Sequence, residues 1–267
     1  MGNYPWLLKL VHEGGSTIRV EREGGFFCFN PNRSFQGISV VIDQDVKSLA
    51  GVRETISLGT RPKVVCNVET ANVLQGHGSL DHQDISTPID GIEIKIMNYN
   101  PCAPKVIKFP SIANPATAPR RAKHNVMRIT EALSHPSKAV KNLMKKEPNQ
   151  LIPPSIVELK LPTGERLLHL NLSLHSSASV SWVKSAQEQF SGADWVVFGT
   201  DWNQESGLLS HLKGFKGKRY IFADLVNDSR REQGLPINTM TPVADLLVDQ
   251  GLEVHLFPPQ ASLRFER

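Results

Sequence analysis

The sequence is poor in the residues and spacings from which zinc sites and disulfide frameworks are built. Its 267 residues contain three cysteines, Cys28, Cys66 and Cys102, and neither a Cys-x-x-Cys nor a His-x-His pair occurs in it. Dispersed cysteines in odd number are typical of a reducing compartment rather than of a secreted, disulfide-linked protein. We therefore expect a cytoplasmic protein with no bound transition metal and no other cofactor.

Long hydrophobic runs and nucleotide-binding motifs are absent as well. No apolar run approaches the roughly 20 residues that span a bilayer, and residues 1–5 lack the basic and apolar regions of a signal peptide. The glycine-rich stretch 14–17 has no lysine of a phosphate-binding loop, and no Gly-x-Ser-x-Gly motif occurs. The sequence thus predicts no membrane association, no P-loop site and no serine-hydrolase site.

What the sequence does contain is an alternation of short apolar strands and amphipathic helices. With 40% hydrophobic and 21% charged residues, we expect one globular domain over residues 1–267. Two strands are predicted within 6–21, and further strands at 25–30, 37–42, 62–67, 91–97, 155–161, 166–172, 194–199, 218–223 and, as the last strand, 252–257. Helices are predicted at 46–58, 69–74, 181–190 and 242–250. The predicted core includes Val40, Ile42, Val64, Val197 and Ile221.

This layout resembles the metallo-β-lactamase superfamily, in particular its ascorbate-phosphate-lactonase-like branch. The likeness rests on the strand order and on a few local features: His12 before the turn 14–17, the buried strand 37–42, the hairpin 155–172 and the strand 194–198. It covers nearly the whole chain outside residues 103–150. The resemblance implies an α/β (α+β) fold, a four-layer αββα sandwich, into which residues 103–150 are inserted as a basic, proline-rich segment.

The metal-binding motifs of that superfamily are not matched. Where the family carries its His-x-His-x-Asp-His run, the matching positions are Asp43, Asp45, Lys47 and Ser48. Where the family carries its metal-bridging aspartate, this chain has Leu172, which cannot bind a cation. A zinc site needs at least three nitrogen, oxygen or sulfur ligands that converge on the ion. The resemblance therefore implies a degenerate, metal-free site.

Other polar residues at strand ends are weaker candidates. His12, His169, His175 and Asp201 are predicted at the rim of the former active-site cleft, although His169 and His175 also fit as ordinary strand-end residues and Asp201 as part of a capped loop. Asp43 and Asp45 point the same way if their strand extends, which would suit a hard cation such as Mg²⁺. Alternatively, Asp43 caps the following helix.

Positive charge is concentrated in one segment. Residues 103–147 carry ten lysines or arginines against two glutamates. The densest positions are Arg120, Arg121, Lys123, Lys138, Lys141, Lys145 and Lys146. On a helix over 137–146, Lys138, Lys141 and Lys145 would share one face. The segment is either a solvated surface excursion or a docking surface for an acidic protein or a nucleic acid.

Three functions are compatible with these features. The first is a metal-free, non-catalytic protein whose old cleft and basic segment bind a ligand, an acidic partner or a nucleic acid. The second is a diverged hydrolase of a phosphate-bearing or phosphodiester substrate, with a non-standard metal site built on Asp43, Asp45 and His175. The third is a structural subunit of a multiprotein assembly. Bound metal would separate the first two, and a copurifying partner or nucleic acid would identify the third.

Overall fold

The structure is a computed structural model, and it describes residues 6–22, 25–41, 49–66, 68–76, 78, 81–82, 88, 91–98, 155–171, 180–199, 211–225, 227–228 and 240–266. The strands are β1 Trp6–Gly14, β2 Thr17–Arg22, β3 Gly25–Phe29, β4 Ile38–Val40, β5 Lys63–Val65, β6 Asp81–His82, β7 Glu93–Asn98, β8 Ser155–Lys160, β9 Arg166–Asn171, β10 Trp195–Phe198, β11 Arg219–Ala223, β12 Val254–Phe257 and β13 Ser262–Glu266. The helices are α1 Ala50–Ser57, α2 Val68–Gln75, α3 Val180–Phe190 and α4 Thr241–Val248.

The strands form two mixed sheets. The first, called here the N-terminal sheet, has the order β13-β1-β2-β3-β4-β5-β6, and the C-terminal sheet has the order β12-β11-β10-β9-β8-β7. In the N-terminal sheet β13, β1, β2 and β3 are antiparallel neighbours and β3 to β6 are parallel. In the C-terminal sheet β7, β8 and β9 are antiparallel and β9 to β12 are parallel.

Alternating side chains bury both faces of each sheet. Val40, Val65, Val197 and Ile221 face the core between the two sheets. The neighbouring residues in these strands face the helices instead. Val64 belongs to the core under α1 and α2, and Val196 belongs to the core under α3. Because successive strand residues point to opposite faces, a continuous apolar run is what a doubly covered strand requires. The result is the predicted αββα sandwich.

Most predicted elements are confirmed, but the prediction that 252–257 is the last strand is wrong. Val40, Val64, Val197 and Ile221 are fully buried, while Ile42 lies outside the described residues. The strand ending at Phe257 is not the last, because β13 follows and pairs with β1. Leu263 and Phe265 of β13 pack against the core between the sheets, so this strand covers an edge that β1 would otherwise expose. Among the described residues no helix is long and apolar enough to cross a membrane.

Candidate functional site

The parallel strands of both sheets end at the same end of the sandwich. The turn between β1 and β2 lies there, because Ile18 pairs with Phe29 at the end of β3. The segment that follows β11 lies there too, since the backbone N–H of Gly15 donates a hydrogen bond to Asp228 Oδ2 at 2.6 Å. Ligand sites in parallel α/β sheets lie beyond the carboxyl ends of the strands. This end of the sandwich is therefore the candidate functional site.

Asp228 connects the two sheets through a very close approach to the β1–β2 turn. Gly14 has a φ of 108°, and a Cβ at this position would lie 2.7 Å from Asp228 Oδ2. Both the backbone conformation and the short distance favour glycine at position 14. The glycines of this turn therefore have a structural role, because they allow the carboxylate of Asp228 to lie directly against the backbone.

Asp224, the residue after β11, is tied to its own loop. Its Oδ1 accepts a hydrogen bond from the backbone N–H of Asn227 at 3.0 Å, and its Oδ2 accepts one from Asn227 Nδ2 at 2.8 Å. Asp224 and Asn227 are both buried. Both carboxylate oxygens are thereby hydrogen-bonded within a local turn, an arrangement that aspartate and asparagine favour.

His12 lies beneath these carboxylates. Its ring is fully buried and stacks edge-on against Phe257 at a centroid distance of 5.3 Å. Burial lowers the pKa of His12 below its usual range, although the carboxylates of Asp224 and Asp228 and the backbone groups of Gly15 and Asp224 act in the opposite direction. Burial therefore favours the neutral form of His12.

His169, on β9, lies at the same end within the core between the sheets. It is fully buried and contacts the ring of Phe29 at a centroid distance of 4.7 Å. Burial, and to a lesser degree the charge of nearby His12, lowers the pKa of His169 to about 3. The two histidines thus come from different sheets, lie close enough to influence each other, and are both buried as neutral groups.

A further polar contact closes the β1–β2 turn against β3. Thr17 Oγ1 donates a hydrogen bond to the carbonyl of Asn30 at 2.7 Å, and both residues are buried. Asn30 has a φ of 45°, a conformation that asparagine tolerates better than most residues. The β1–β2 turn is therefore fixed on both sides, by Asn30 after β3 and by Asp228 after β11.

Only two of the site residues predicted from the sequence, His12 and His169, fall within the described residues. The others lie outside them: Asp43, Asp45, Lys47, Ser48, Leu172, His175, Asp201, Arg120, Arg121, Lys123, Lys138, Lys141, Lys145 and Lys146. The sequence analysis missed Asp224, Asn227 and Asp228. Three polar residues among the five that follow the buried strand 218–223 were the signal that could have revealed them.

The donors that the structure describes at this end fit a catalytic metal poorly. No group of three or more His, Cys, Asp or Glu side chains that could hold an ion occurs among the described residues. Asp224 accepts two hydrogen bonds from Asn227, and Asp228 accepts one from Gly15. Metal ligands must be deprotonated and must converge on one open point. The described carboxylates instead make contacts that hold the loop after β11 in place.

Comparison with known proteins identifies the fold. No protein-family model matches the chain, and no curated protein matches it. Among solved structures, the chain is similar to Igni18, a metallo hydrolase from the hyperthermophilic archaeon Ignicoccus hospitalis, with 10% identity, a TM-score of 0.58 and coverage of 97% of this chain and 99% of that one. An isothiocyanate hydrolase from Delia radicum gut bacteria has 9% identity, a TM-score of 0.57 and coverage of 97% and 99%.

A third similar structure is CmlA, a diiron β-hydroxylase from Streptomyces venezuelae. It has 9% identity and a TM-score of 0.53, and the match covers 98% of this chain and 55% of that one. At such low identities the likeness concerns the fold alone. Together with the two mixed sheets and their flanking helices, it establishes a metallo-β-lactamase-like αββα fold, as the resemblance in the sequence implied.

Proposed function

We propose that this protein is a metal-free, non-catalytic member of the metallo-β-lactamase-like fold that acts as a binding or scaffold subunit. The observation that carries this proposal is that the described carboxylates at the candidate site are hydrogen-bonded to neighbouring protein groups. Asp224 is bonded to Asn227, and Asp228 to the turn at Gly15. Such contacts fix the shape of this surface, and among the described residues no three His, Cys, Asp or Glu side chains converge on one point.

The sequence supports the same proposal at the positions outside the described residues. Asp43, Asp45, Lys47 and Ser48 stand where the resemblance places an imidazole-rich motif, and Leu172 stands where it places the bridging aspartate. Borderline metals such as zinc prefer imidazole and thiolate ligands. A lysine and a leucine among these positions would oppose metal binding, by charge in the first case and by lack of a donor atom in the second.

The partner that we propose is a polyanion or an acidic protein surface. The basis is the charge of residues 103–147, with ten cations against two anions. Natural surfaces usually intersperse the two signs, because like charges in one segment repel each other. A negatively charged partner would screen that repulsion and would bind through the same cations.

A second function is favoured by the comparisons. Igni18 and the isothiocyanate hydrolase are both hydrolases, and Igni18 is a metallo hydrolase. If this chain has kept such chemistry, we expect a diverged site in which Asp43, Asp45 and His175 hold a hard cation and act on a phosphate-bearing substrate. Carboxylates are the ligands that Mg²⁺ prefers.

Metal analysis distinguishes these two functions. We expect far less than one zinc, iron or manganese per chain after dialysis, and no heat of binding when Mg²⁺ is titrated into the protein. About one or more metal ions per chain would contradict the metal-free proposal. In that case the double variant Asp43→Ala/Asp45→Ala should lose the ion, whereas Asp245→Ala, which removes an exposed carboxylate on α4, should keep it.

Binding to a short DNA duplex of random sequence tests the partner. Replacing Arg120, Arg121, Lys141 and Lys145 with glutamine should weaken binding about tenfold or more and flatten its salt dependence, because each phosphate contact releases about 0.9 counterions. The matched control replaces four exposed lysines elsewhere, Lys63, Lys184, Lys213 and Lys216. Equal weakening by both sets would indicate non-specific attraction, and no binding by the parent would leave an acidic protein as the partner to seek by copurification.

A further inference from the structure

One edge strand of the C-terminal sheet lacks the charged residues and prolines that commonly protect a sheet edge. β12, Val254–Phe257, is the outermost strand at one side of that sheet, and it contains no lysine, arginine, acidic residue or proline. The opposite edge, β7, carries Glu93 and Lys95, and β13 carries Arg264 and Glu266. Charged residues on edge strands discourage pairing with other chains. Among the described edge strands longer than two residues, β12 alone is without them.

The backbone of β12 offers hydrogen-bonding groups on its outer side. Glu253 and Phe257 direct their carbonyls toward β11, since they accept hydrogen bonds from Tyr220 N at 2.9 Å and from Asp224 N at 3.2 Å. In a strand, alternate residues direct their N–H and C=O groups to opposite sides. Val254 and Leu256 therefore direct theirs outward, away from the sheet.

The side chains beside this edge are apolar and exposed. Leu256 is 42% exposed, and Val248 at the end of α4 is 54% exposed. They are two of only three large hydrophobic side chains exposed among the described residues. Leu256 is in register with Phe222, which belongs to the core beneath the helices, and α4 contacts β12. Leu256 thus presents an exposed apolar side chain at the outer edge of the sheet, on its helix-covered face.

We propose that β12 is a homodimer interface, at which two copies of the chain pair this strand antiparallel about a twofold axis through His255. In that register Val254 of each copy lies opposite Leu256 of the other. Their outward N–H and C=O groups then exchange four backbone hydrogen bonds, and their side chains form two apolar cross-strand pairs. The two sheets join into one continuous sheet across the axis.

The polar side chains on the other face of the strand fit the same register. His255 Nε2 lies 3.0 Å from Glu253 Oε1 of its own chain. In this register each His255 lies opposite His255 of the second copy, and Glu253 of that copy is a diagonal neighbour that can accept a hydrogen bond from the imidazole. One register therefore matches backbone hydrogen bonds, apolar side chains and a histidine–carboxylate pair at once, which is why a second copy fits this edge. Because few residues take part, the dimer is weak and depends on concentration.

Cysteine cross-linking tests the register directly. Residues that face each other at a non-hydrogen-bonded antiparallel position have Cα atoms about 4.5 Å apart, within the range of about 4.4–6.8 Å that a disulfide spans. His255→Cys should therefore give a disulfide-linked dimer on mild oxidation. The controls are the parent chain and Ser262→Cys, a variant at an exposed position on β13, and neither should cross-link to a comparable extent.

Sedimentation velocity over a range of protein concentrations tests the dimer itself. Leu256→Lys should raise the dissociation constant about tenfold or more, because a lysine on an edge strand opposes pairing. Leu58→Lys is the matched control: it changes a leucine that is 68% exposed after α1, and it should leave the dimer unchanged. Circular dichroism shows whether each variant folds. If Leu256→Lys does not fold, cross-linking of His255→Cys decides whether the proposed dimer forms.

Two outcomes would overturn the proposal. The first is a parent chain that stays monomeric at all concentrations while His255→Cys fails to cross-link. The second is a dimer that Leu256→Lys does not weaken and that His255→Cys does not link, which would place the interface elsewhere. A monomer whose β12 binds an added extended peptide would identify this edge as a peptide site and would equally contradict the homodimer.

Discussion

The two sheets of the sandwich follow the same plan with very different means of stabilisation. In each, antiparallel strands at one side lead into a run of parallel strands that helices cover from outside. The core between the C-terminal sheet and its helices contains six aromatic residues: Trp182, Phe190, Phe198, Phe215, Tyr220 and Phe222. The corresponding core of the N-terminal sheet contains none among the described residues, and it consists of Val41, Leu49, Val52, Val64, Cys66, Ala71 and Leu74.

This difference shows where the fold is most strongly held. Aromatic side chains bury more apolar surface than any others and also gain from ring contacts. Phe198 and Phe222 are stacked at a centroid distance of 5.0 Å, and Phe198 also meets Tyr220 edge-on at 6.5 Å. The C-terminal half therefore forms the more stable scaffold, while the N-terminal half depends more on precise backbone contacts.

The largest expected effect comes from deleting an aromatic ring in the C-terminal outer core. Phe198→Ala should lower the free energy of unfolding by about 3–5 kcal/mol, since it removes transfer energy and leaves a cavity. Val52→Ala in the N-terminal outer core removes two methyl groups and should cost only about 1–2 kcal/mol at about 0.8 kcal/mol per buried carbon. Urea unfolding measures both, and equal losses would show that the two cores contribute alike.

The two sheets also differ in how deeply an ion pair is buried in each. Glu158 on β8 is 1% exposed, and it accepts hydrogen bonds from Arg166 Nε at 2.7 Å and from Arg166 Nη2. Arg166 Nη1 also donates to the carbonyl of Ser191 at 2.8 Å. In the N-terminal sheet, Lys9 and Glu21 form a pair at 2.8 Å, but both side chains are about one-fifth exposed.

Removing the cation should therefore have unequal consequences. Arg166→Met leaves the carboxylate of Glu158 buried without its partner, which should cost about 3 kcal/mol or more. Lys9→Met should cost between about 0 and 1 kcal/mol, as solvent-exposed pairs do. Thermal unfolding of the two variants checks this, and the double variant Arg166→Met/Glu158→Leu should recover part of the loss. If Lys9→Met and Arg166→Met lower the free energy of unfolding equally, burial does not determine the strength of these ion pairs.

The sequence predicted the fold well because apolar periodicity and turn residues act locally. Residues 92–96 alternate apolar and charged side chains, and Pro162-Thr163-Gly164-Glu165 separates the two strands of the β8–β9 hairpin. β13 was missed although Ser262–Glu266 alternates polar and apolar residues, which is the pattern of a half-buried strand. The sequence does not show which strand it pairs with, because its partner β1 lies at the other end of the chain.

The candidate site was less predictable than the fold. His12 and His169 were expected at a cleft rim, and the structure places them at that end of the sandwich as buried, neutral groups. The contact between Gly15 and Asp228 joins residues 213 positions apart, so no spacing in the sequence encodes it. A turn of the Gly14-Gly15 type predicts a hairpin, but only the packed sheets reveal that a carboxylate lies against it.

A backbone contact in the N-terminal half provides the next test. Gly51, in the first turn of α1, donates its N–H to the carbonyl of Pro31 at 2.9 Å. A Cβ at this position would overlap the carbonyl oxygens of Pro31 and Arg33. Because backbone atoms cannot rotate away, Gly51→Ala should cost about 1–3 kcal/mol despite the higher helix propensity of alanine. Gly59→Ala, where no atom lies within 4 Å but φ is 75°, serves as a comparison for conformational strain alone.

The smallest effect that we expect is in the pH dependence of stability. Each sheet contributes one buried histidine, His12 on β1 and His169 on β9. His169 on β9 has a pKa lowered to about 3 by burial and by nearby His12, whereas the lowering of the pKa of His12 on β1 is opposed by Asp224 and Asp228. A histidine whose pKa is lower in the folded state stabilises the fold fully above its unfolded pKa of about 6.5, and this stability is lost as the pH falls.

For His169 the loss between pH 7 and pH 5.5 should be about 1 kcal/mol, because only the unfolded chain takes up the proton in that window. His169→Gln should remove this part of the pH dependence, and His12→Gln should remove a smaller part, since the neighbouring carboxylates partly compensate a charge on His12. Urea unfolding at pH 7 and pH 5.5 for the parent and both variants measures the difference in slope, whatever packing energy each substitution costs at pH 7. If the two variants flatten the pH dependence equally, the carboxylates after β11 do not influence His12, and the proposed electrostatic distinction between the sheets fails.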